Sequence, residues 1–418
     1  MAILTDSSKN GRNLRTVTAK AFLTGLASSM MRAIIQPFVL SLGAPMSTLG
    51  LLESLGGMCG ILTSPLKYYS GWLSDHLGRR PFLILGNVSG VLGVSLFIVA
   101  ALTGNWLWLV PGIVLNGATL LANPVDQSIV AESSPANRRA TAYSLFVMAW
   151  RAPGILGPTL GGWLVVGWRF VPVFALQTLL YALGLLLVWR FLRETIVPSG
   201  ERITRGELKA ATMRMLMPPR GLRGYYWTIA ADGFAWGLGV SLLFGMLTQT
   251  YGFTTFQLGI MSSLMAIVWT LTSWPAGKLI DRFGCKPMMI LSLVGTVPIL
   301  LGFMFVSSFP AFAGIYACIG VIGAAWSPAQ MAMLANSTSE HETGEALGRL
   351  AAFRGLIGFP APFIGGFLYD TFGFQSPLLA GLTCTVIETV MLVMLVKEPQ
   401  GRVEAQSPCH QDAETARW

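Results

Sequence analysis

Long apolar runs constrain the fold of this sequence more than any other feature. Twelve runs of about twenty residues follow one another, separated by short breaks that are charged or rich in Gly and Pro. A helix of about 20 apolar residues spans the hydrocarbon core of a bilayer. The pattern therefore predicts an all-α membrane protein with twelve transmembrane helices. The predicted spans are 17–41, 47–70, 81–102, 106–131, 140–166, 169–192, 224–250, 256–279, 287–306, 310–335, 346–369 and 375–396.

Composition agrees with a chain that is surrounded by lipid. Of the 418 residues, 53% are hydrophobic and 11% are charged, whereas soluble domains carry about 25% charged residues. The mean hydropathy is +0.61. Twelve spans occupy nearly the whole chain, so no large soluble domain fits between them. We expect a multi-pass protein whose main contact is the lipid bilayer.

The net charge of +9 predicts topology rather than nucleic-acid binding. Lys and Arg residues fall in short clusters between the apolar runs, with no basic face interleaved with stacking aromatic residues. Positive residues are retained on the cytoplasmic side during insertion. The clusters occupy alternate loops, and the loops between them carry only Arg169. Both termini are predicted to be cytoplasmic, in the inner membrane of a prokaryotic cell, which requires an even number of spans.

The longest break divides the chain into two equal sets of spans. Residues 193–223 contain seven Lys and Arg residues and separate six spans from six. The predicted organisation is an N-terminal six-helix bundle at 1–192, a cytoplasmic linker at 193–223 and a C-terminal six-helix bundle at 224–396. A polar tail at 397–418 is predicted to be disordered.

An internal repeat relates the two halves. Residues 157–164 read GPTLGGWL and residues 361–368 read APFIGGFL, 204 positions later. Residues 71–81 read GWLSDHLGRRP and residues 277–287 read GKLIDRFGCKP, 206 positions later. In this second pair Gly, Asp, Gly, a basic residue and Pro recur in step, so the halves share more than a hydropathy pattern.

These residues resemble the major facilitator superfamily over nearly the whole chain. The family's loop signature, Gly-x-x-x-Asp-x-x-Gly-Arg-Arg/Lys, is matched strongly in the first half and more weakly in the second. The resemblance implies two six-helix bundles that rock around a central cavity. A lone copy of the signature is also compatible with an ordinary tight turn whose Arg residues contact lipid phosphate. The matching positions are Gly71, Asp75, Gly78, Arg79, Arg80, Gly277, Asp281, Gly284 and Lys286.

We interpret the loop signature as a conformational gate. Asp75 lies near the start of a helix and beside Arg79 and Arg80, where a carboxylate can latch two bundles through charge-assisted hydrogen bonds. In the fifth span a second set of residues resembles a signature associated with proton-exchanging exporters. Close helix packing without any bearing on transport direction is the alternative for that set. Its members are Gly154, Gly157, Pro158, Gly161 and Gly162.

One position departs from the exporter pattern. Many proton-coupled members carry an Arg four residues before a Gly in the fourth span, whereas this chain has Ile113 before Gly117. The chain therefore lacks the residue on which the usual arrangement for proton antiport depends.

Ionisable residues within the spans are candidates for substrate or ion handling, because each costs roughly 2.5–3.5 kcal/mol at bilayer depth. Matching depth predicts three ion pairs: Arg32 with Glu53, Asp232 with Arg354, and Arg151 with Asp126. A static pair that fixes helix register is the alternative in each case. Glu388, in a late peripheral span, is interpreted as structural.

The family arrangement lines the cavity with the first, fourth, seventh and tenth helices. Polar and aromatic residues on those helices extend the set of candidates for a mixed apolar and polar site. The predicted substrate and ion pathway comprises Arg32, Glu53, Asn123, Asp126, Arg151, Asp232, Trp236, Gln330 and Arg354.

The favoured function is secondary transport of a small organic solute by alternating access, with efflux coupled to protons or another ion. Nutrient uptake by symport or facilitated diffusion is an alternative, and a non-transporting receptor or sensor on the same fold is another. The sequence shows no phosphate-binding loop, nucleophile motif or metal-ligand cluster. We therefore expect no enzyme activity, no cofactor and no metal, and a protein that acts as a monomer.

Overall fold

The regular structure of the chain is helical throughout the part that the structure describes. The computed structural model describes residues 7–57, 60–134, 139–195, 205–338 and 343–398. The first half contains α1 Ser7–Ser41, α2 Met46–Gly56, α3 Thr63–Leu77, α4 Arg79–Thr103, α5 Leu109–Gly117, α6 Ala122–Ser133, α7 Arg139–Arg151, α8 Pro153–Trp168 and α9 Phe170–Phe191. The predicted linker contains α10 Arg205–Leu216. The second half contains α11 Arg223–Gly239, α12 Leu243–Tyr251, α13 Thr255–Phe283, α14 Cys285–Phe305, α15 Phe309–Asn336, α16 Thr343–Gly358, α17 Pro360–Phe372 and α18 Gln375–Leu395.

Ten helical segments of the described chain are long and apolar enough to cross a membrane. They coincide with ten of the predicted spans. The other two, 47–70 and 140–166, are each divided into two shorter helices, α2 with α3 and α7 with α8. Helix breaks also occur within three of the ten, between α5 and α6, α11 and α12, and α16 and α17. A total of twelve spans, grouped as two bundles, remains a prediction.

The division of the second predicted span has a local cause. Helix α2 ends at Gly56, and Gly57 is extended. The Thr63 hydroxyl at the start of α3 then donates to the carbonyls of Gly57 at 2.9 Å and Gly60 at 3.1 Å. The same two carbonyls also accept from the backbone N–H groups of Gly60 and Ser64, so Thr63 reinforces the turn that follows α2. In the fifth predicted span the break falls at Pro153, which lacks an N–H to continue the helix.

The two ends of the helix assembly differ in charge. We define the basic end as the one where α3 meets α4 and α13 meets α14, beside Arg79, Arg80 and Lys286. The opposite end is the one where α1 meets α2 and α17 meets α18. The predicted tail, 397–418, lies almost entirely outside the described residues, as does 196–204 of the linker.

The apolar core is shared at one end and divided at the other. Toward the opposite end a single cluster unites both halves, including Phe38 and Phe174 of the first half and Phe244 and Phe312 of the second. Toward the basic end each half has a separate cluster. The two halves are thus sealed by apolar packing at the opposite end, whereas their cores are separate at the basic end.

Candidate functional site

The first copy of the loop signature lies at the basic end and is mostly helical. Helix α3 continues to Leu77, so the turn consists of Gly78 alone, which has φ +95°. The signature predicts a loop over the whole segment, which is wrong for the residues on either side of Gly78. The Arg79 guanidinium donates to Glu132 on α6 at 3.0 Å and to the Ser74 hydroxyl at 2.6 Å. Arg79 thereby ties the start of α4 to α6.

A carboxylate that sequence analysis did not single out caps helix α4. Glu194 follows α9 and accepts hydrogen bonds from the backbone N–H groups of Arg79 at 2.8 Å and Arg80 at 3.0 Å. A Cβ at Gly78 would lie 2.8 Å from a carboxylate oxygen of Glu194. The turn therefore needs glycine for its backbone angle and for the approach of Glu194. A carboxylate at a helix N-terminus is also favoured by the helix dipole.

The second half repeats this cap. Glu398 follows α18 and accepts from the backbone N–H groups of Cys285 at 2.7 Å and Lys286 at 2.8 Å, beside Gly284 with φ +93°. The Lys286 ammonium donates to the carbonyl of Val393 at 2.9 Å. In the first half the Arg80 guanidinium makes the corresponding bond to the carbonyl of Trp189 at 2.7 Å. Glu194 and Glu398 are 204 residues apart, so the repeat itself carried the signal that sequence analysis missed.

Glycines close the opposite end. In the first half, a Cβ at Gly161 would lie 2.9 Å from Cβ of Met30 on α1, whereas a Cβ at Gly162 would meet the carbonyl of Thr255 on α13. In the second half, Gly365 packs on Leu238 of α11 and Gly366 packs on the carbonyl of Met46 on α2. In each pair, the first glycine contacts its own half and the second contacts the other half.

Two further glycines lie where helices of the two halves cross, α8 with α13 and α2 with α17. Gly259 on α13 packs on the carbonyl of Pro158, and Gly50 on α2 packs on the carbonyl of Pro362. We call the four residues at the crossings the glycine seam: Gly50, Gly162, Gly259 and Gly366. Close helix packing was the alternative predicted for the glycines of the fifth span. Gly157 packs on Ser29 in this way, but an added Cβ at Gly154 would have no neighbour within 4 Å.

Asp232 and Arg354 form the ion pair that matching depth predicted. Their side chains on α11 and α16 meet at 2.7 Å. Glu388 on α18 is 1% exposed, and it interacts electrostatically with both partners. One of its carboxylate oxygens has no hydrogen-bond partner in the described protein. Glu388 therefore faces the interior of the second half, and its interpretation as structural stays a prediction.

Asp126 has a different partner from the one predicted. Its carboxylate on α6 lies 2.6 Å from the ammonium of Lys20 on α1, and both side chains are buried. The predicted pairing of Asp126 with Arg151 is therefore wrong, and Lys20 was not among the predicted partners. Depth along a helix does not fix the direction in which a side chain points, and the closer partner was therefore missed.

The predicted pair of Arg32 and Glu53 is not formed. Glu53 lies 3.5 Å from the amide nitrogen of Gln36. The same amide of Gln36 donates to the carbonyl of Ser241 at 2.6 Å and accepts from the N–H of Gly245 at 2.8 Å. Gln36 therefore joins α1 to the break between α11 and α12. Arg32 has no ion pair within the described residues.

Arg32 and Arg151 are exposed, and their charges are close enough to interact. Arg32 also interacts electrostatically with Tyr316 on α15. The Arg151 guanidinium lies 5.7 Å from the ring centroid of Trp269 on α13. Both arginines thus belong to the first half and have neighbours in the second.

The structure shows fewer contacts for the remaining residues of the predicted pathway and gate. Trp236 is 39% exposed, and the carbonyl of Gln330 accepts a hydrogen bond from Tyr225 at 2.7 Å. Asn123 is partly exposed. Gly277 and Asp281 lie within helix α13 rather than in a loop. The side-chain surroundings of Gly71 and Asp75 fall outside the described part of the structure, so the proposed latch at Asp75 stays a prediction.

Comparison with known proteins decides the family. The model of the Major Facilitator Superfamily matches residues 20–271 and 225–412, which together cover most of the chain. The chain belongs to the major facilitator superfamily. It is therefore a multi-pass membrane transporter of a small-molecule solute rather than an enzyme.

Relatives within this superfamily are distant but nearly full-length. The multidrug resistance protein MdtG of Salmonella paratyphi A is 23% identical over 377 residues, covering 87% of this chain and 90% of the relative. MdtG of Dickeya zeae is 24% identical over 386 residues, covering 90% and 92%. The crystal structure of a D-xylose-proton symporter matches with a TM-score of 0.71 at 17% identity, covering 93% and 99%. At this identity, the structural match shows the fold alone.

Proposed function

We propose that this protein is an ion-coupled efflux transporter, which exports a small organic solute in exchange for protons. Its distant relatives from two bacteria are named multidrug resistance proteins, which favours export. The proposed site of the protein is the cell membrane of a bacterium, with both termini in the cytoplasm. We propose a monomer, because a complete pathway would lie between the two halves of one chain.

The observation that carries proton coupling is the buried cluster of Asp232, Arg354 and Glu388. Arg354 pairs with Asp232, and Glu388 lies within electrostatic reach of both, so these three groups together carry one net negative charge when all are ionised. A buried charge without a partner costs several kcal/mol. Uptake of one proton removes that charge, and its release restores it. The cluster joins α11, α16 and α18, whose relative positions would respond to the change.

The shape of the structure supports alternating access. The shared apolar core and the glycine seam close the opposite end, whereas the cores of the two halves are separate at the basic end. We propose that the two halves act as six-helix bundles and that this conformation faces the cytoplasm. Opening toward the outside would separate the glycine seam and bring the two cores together at the basic end.

Replacing Asp232 with Asn tests the coupling. Asn keeps the size of the side chain but removes the proton-binding carboxylate. We expect Asp232→Asn to retain counterflow of labelled solute in proteoliposomes while losing accumulation that is driven by a pH gradient. Asp412→Asn, in the tail, is the matched control and should behave as the unmodified protein. Unchanged pH-driven accumulation in Asp232→Asn would remove this cluster from the coupling mechanism.

The same proteoliposomes distinguish the alternatives. Solute that moves with the protons indicates uptake by symport, and counterflow without any effect of the pH gradient indicates facilitated diffusion. Absence of counterflow for every solute that binds would indicate a receptor. Solute that moves against the protons supports the proposed exporter.

A further inference from the structure

Two arginines between the halves have no acidic partner within the described protein. Each carboxylate predicted at bilayer depth is engaged elsewhere: Asp126 with Lys20, Asp232 with Arg354, Glu53 beside Gln36, and Glu388 inside the second half. Arg32 and Arg151 make no hydrogen bond or ion pair in the described residues. Both residues are exposed. The space between the halves therefore carries two positive charges that the protein leaves unbalanced.

The positions of these arginines assign them to the interface of the halves. Arg32 lies on α1 between two fully buried stretches, and its electrostatic neighbours are Arg151 on α7 and Tyr316 on α15. Arg151 also faces Trp269 on α13. Helix α15 and helix α13 belong to the second half. A group bound between the two arginines would therefore contact both halves at once, as a transported solute must.

Electrostatics determines which charge such a group carries. Two cations close together repel each other, and the repulsion strengthens where water is scarce. A cleft lined by one sign of charge between low-dielectric walls also concentrates ions of the opposite sign. An anion that bridges the guanidinium groups removes the repulsion and receives charge-assisted hydrogen bonds. A cationic or neutral solute gains neither benefit.

Aromatic rings near the two arginines indicate the chemistry of the rest of the ligand. Arg151 lies 5.7 Å from the ring centroids of both Trp150 and Trp269. Tyr316 packs with Phe244 at a centroid distance of 5.2 Å on the side of Arg32. Flat apolar surfaces beside an anion-binding group suit a molecule with an aromatic body and an acidic head.

We propose that Arg32 and Arg151 form an anion subsite, and that the transported solute is an aromatic or amphipathic organic anion with a carboxylate or sulfonate group. This inference rests on the proposed transport function and names its substrate class. Arg32 provides the contact from α1 and Arg151 the contact from α7. The planar guanidinium groups each offer two parallel donors to the oxygens of the acidic head.

Binding to the purified full-length protein in neutral detergent tests the subsite without requiring transport. Equilibrium dialysis with radiolabelled naphthoate gives its affinity, and competition gives those of naphthamide and naphthylmethylammonium, which have the same ring. We expect naphthoate to bind roughly tenfold to a hundredfold more tightly than naphthamide, because hydrogen bonds to charged groups are the stronger ones. The ammonium compound should compete least. Equal affinities for the three compounds would overturn the proposal.

Four variants test whether the two arginines cause the preference for naphthoate over naphthamide. Arg32→Gln and Arg151→Gln should each lower naphthoate affinity by about tenfold or more while leaving naphthamide affinity unchanged. Arg32→Lys and Arg151→Lys keep the charge but lose the paired donors, so their affinities should be intermediate. Arg190→Gln, an exposed arginine beside Phe191, is the control. Naphthoate affinity that survives both Gln substitutions would contradict the assignment.

An anionic lipid headgroup offers the same chemistry as a free organic anion, so phosphatidylglycerol is included as a competitor. Displacement of naphthoate by phosphatidylglycerol at lower concentration than by naphthoate itself would assign the subsite to lipid and overturn the solute assignment. Failure of pH-driven transport with intact arginine-dependent binding would refute the proposed exporter but leave the anion subsite standing. The two failures are therefore distinguishable.

Discussion

At the scale of single residues, the turns at Gly78 and Gly284 depend on one backbone geometry. Both have φ above +90°, and both place a carboxylate against two backbone N–H groups of the next helix. Side chains with a Cβ rarely adopt this region. The glycine in the loop signature thus permits the cap, and the cap holds the start of α4 or α14.

Replacing Gly78 with Ala should destabilise the protein. The new Cβ would be strained by the positive φ and would crowd Glu194, at a cost of about 1–3 kcal/mol. Thermal unfolding in detergent measures the change. Gly277→Ala is the matched control, because Gly277 is helical and an added Cβ has no neighbour within 4 Å. Equal melting temperatures for the two variants would contradict this account of the turn.

Asp75 is predicted to act as a latch rather than as a substrate ligand. It lies near the basic end on α3, three residues before the Gly78 turn. Asp75→Asn should insert normally but lower turnover and shift the population of inward- and outward-open forms, roughly fivefold to a hundredfold if the latch resembles other coupled sites. Spin-label distances across the basic end report the shift, and Asp75→Glu should retain the charge-dependent behaviour. Normal turnover with unaltered distances in Asp75→Asn would leave the latch without support.

At the scale of helices, apolar runs predicted ten spans well because length and hydropathy suffice for a lipid-exposed helix. The breaks within 47–70 and 140–166 depend on hydrogen bonds from Thr63 and on the missing N–H of Pro153, which a hydropathy pattern does not report. The partners of charged side chains were harder to predict than the helix breaks. Depth predicted Asp232 with Arg354 correctly, but it missed the pairing of Asp126 with Lys20 because rotation about the helix axis was unknown.

Close helix packing at the glycine seam should keep the two halves closed at the opposite end. Gly162→Leu places a branched side chain where the carbonyl of Thr255 lies, so α8 and α13 can no longer approach. We expect the outward-open form to gain population and turnover to fall. Distances between labels on the two halves at the opposite end measure the opening. Gly167→Leu, on the same helix but with no neighbour within 4 Å, should leave those distances unchanged; a similar opening in both variants would argue against the seam.

At the scale of the whole molecule, the linker helix touches both halves at the basic end. Tyr69 on α3 shares a hydrogen bond with Thr212 on α10 at 2.6 Å. The Arg349 guanidinium on α16 donates to the carbonyls of Arg214 at 2.8 Å and Met217 at 3.0 Å. The charge of 193–223 predicts a linker, but its bridging position depends on tertiary contacts that the sequence pattern does not contain.

Topology is the prediction on which the other assignments depend. Nearly all loop Lys and Arg residues lie on the basic end or in the terminal segments, so both termini should face the cytoplasm. Tags at either terminus should be protected from a membrane-impermeant reagent in intact cells and become reactive after permeabilisation. Labelling of a terminus in intact cells would reverse the assigned orientation of the gates.

The two carboxylate caps also bear on how the chain is made. Glu194 and Glu398 each follow the last helix of a half and bind the start of a helix within that same half. The first half therefore holds its own closing contact and needs no residue of the second to form it. At about 5–20 residues per second, the rest of the chain takes roughly 10–45 s to synthesise. During that interval, the first half can complete its cap while the ribosome is still translating the second.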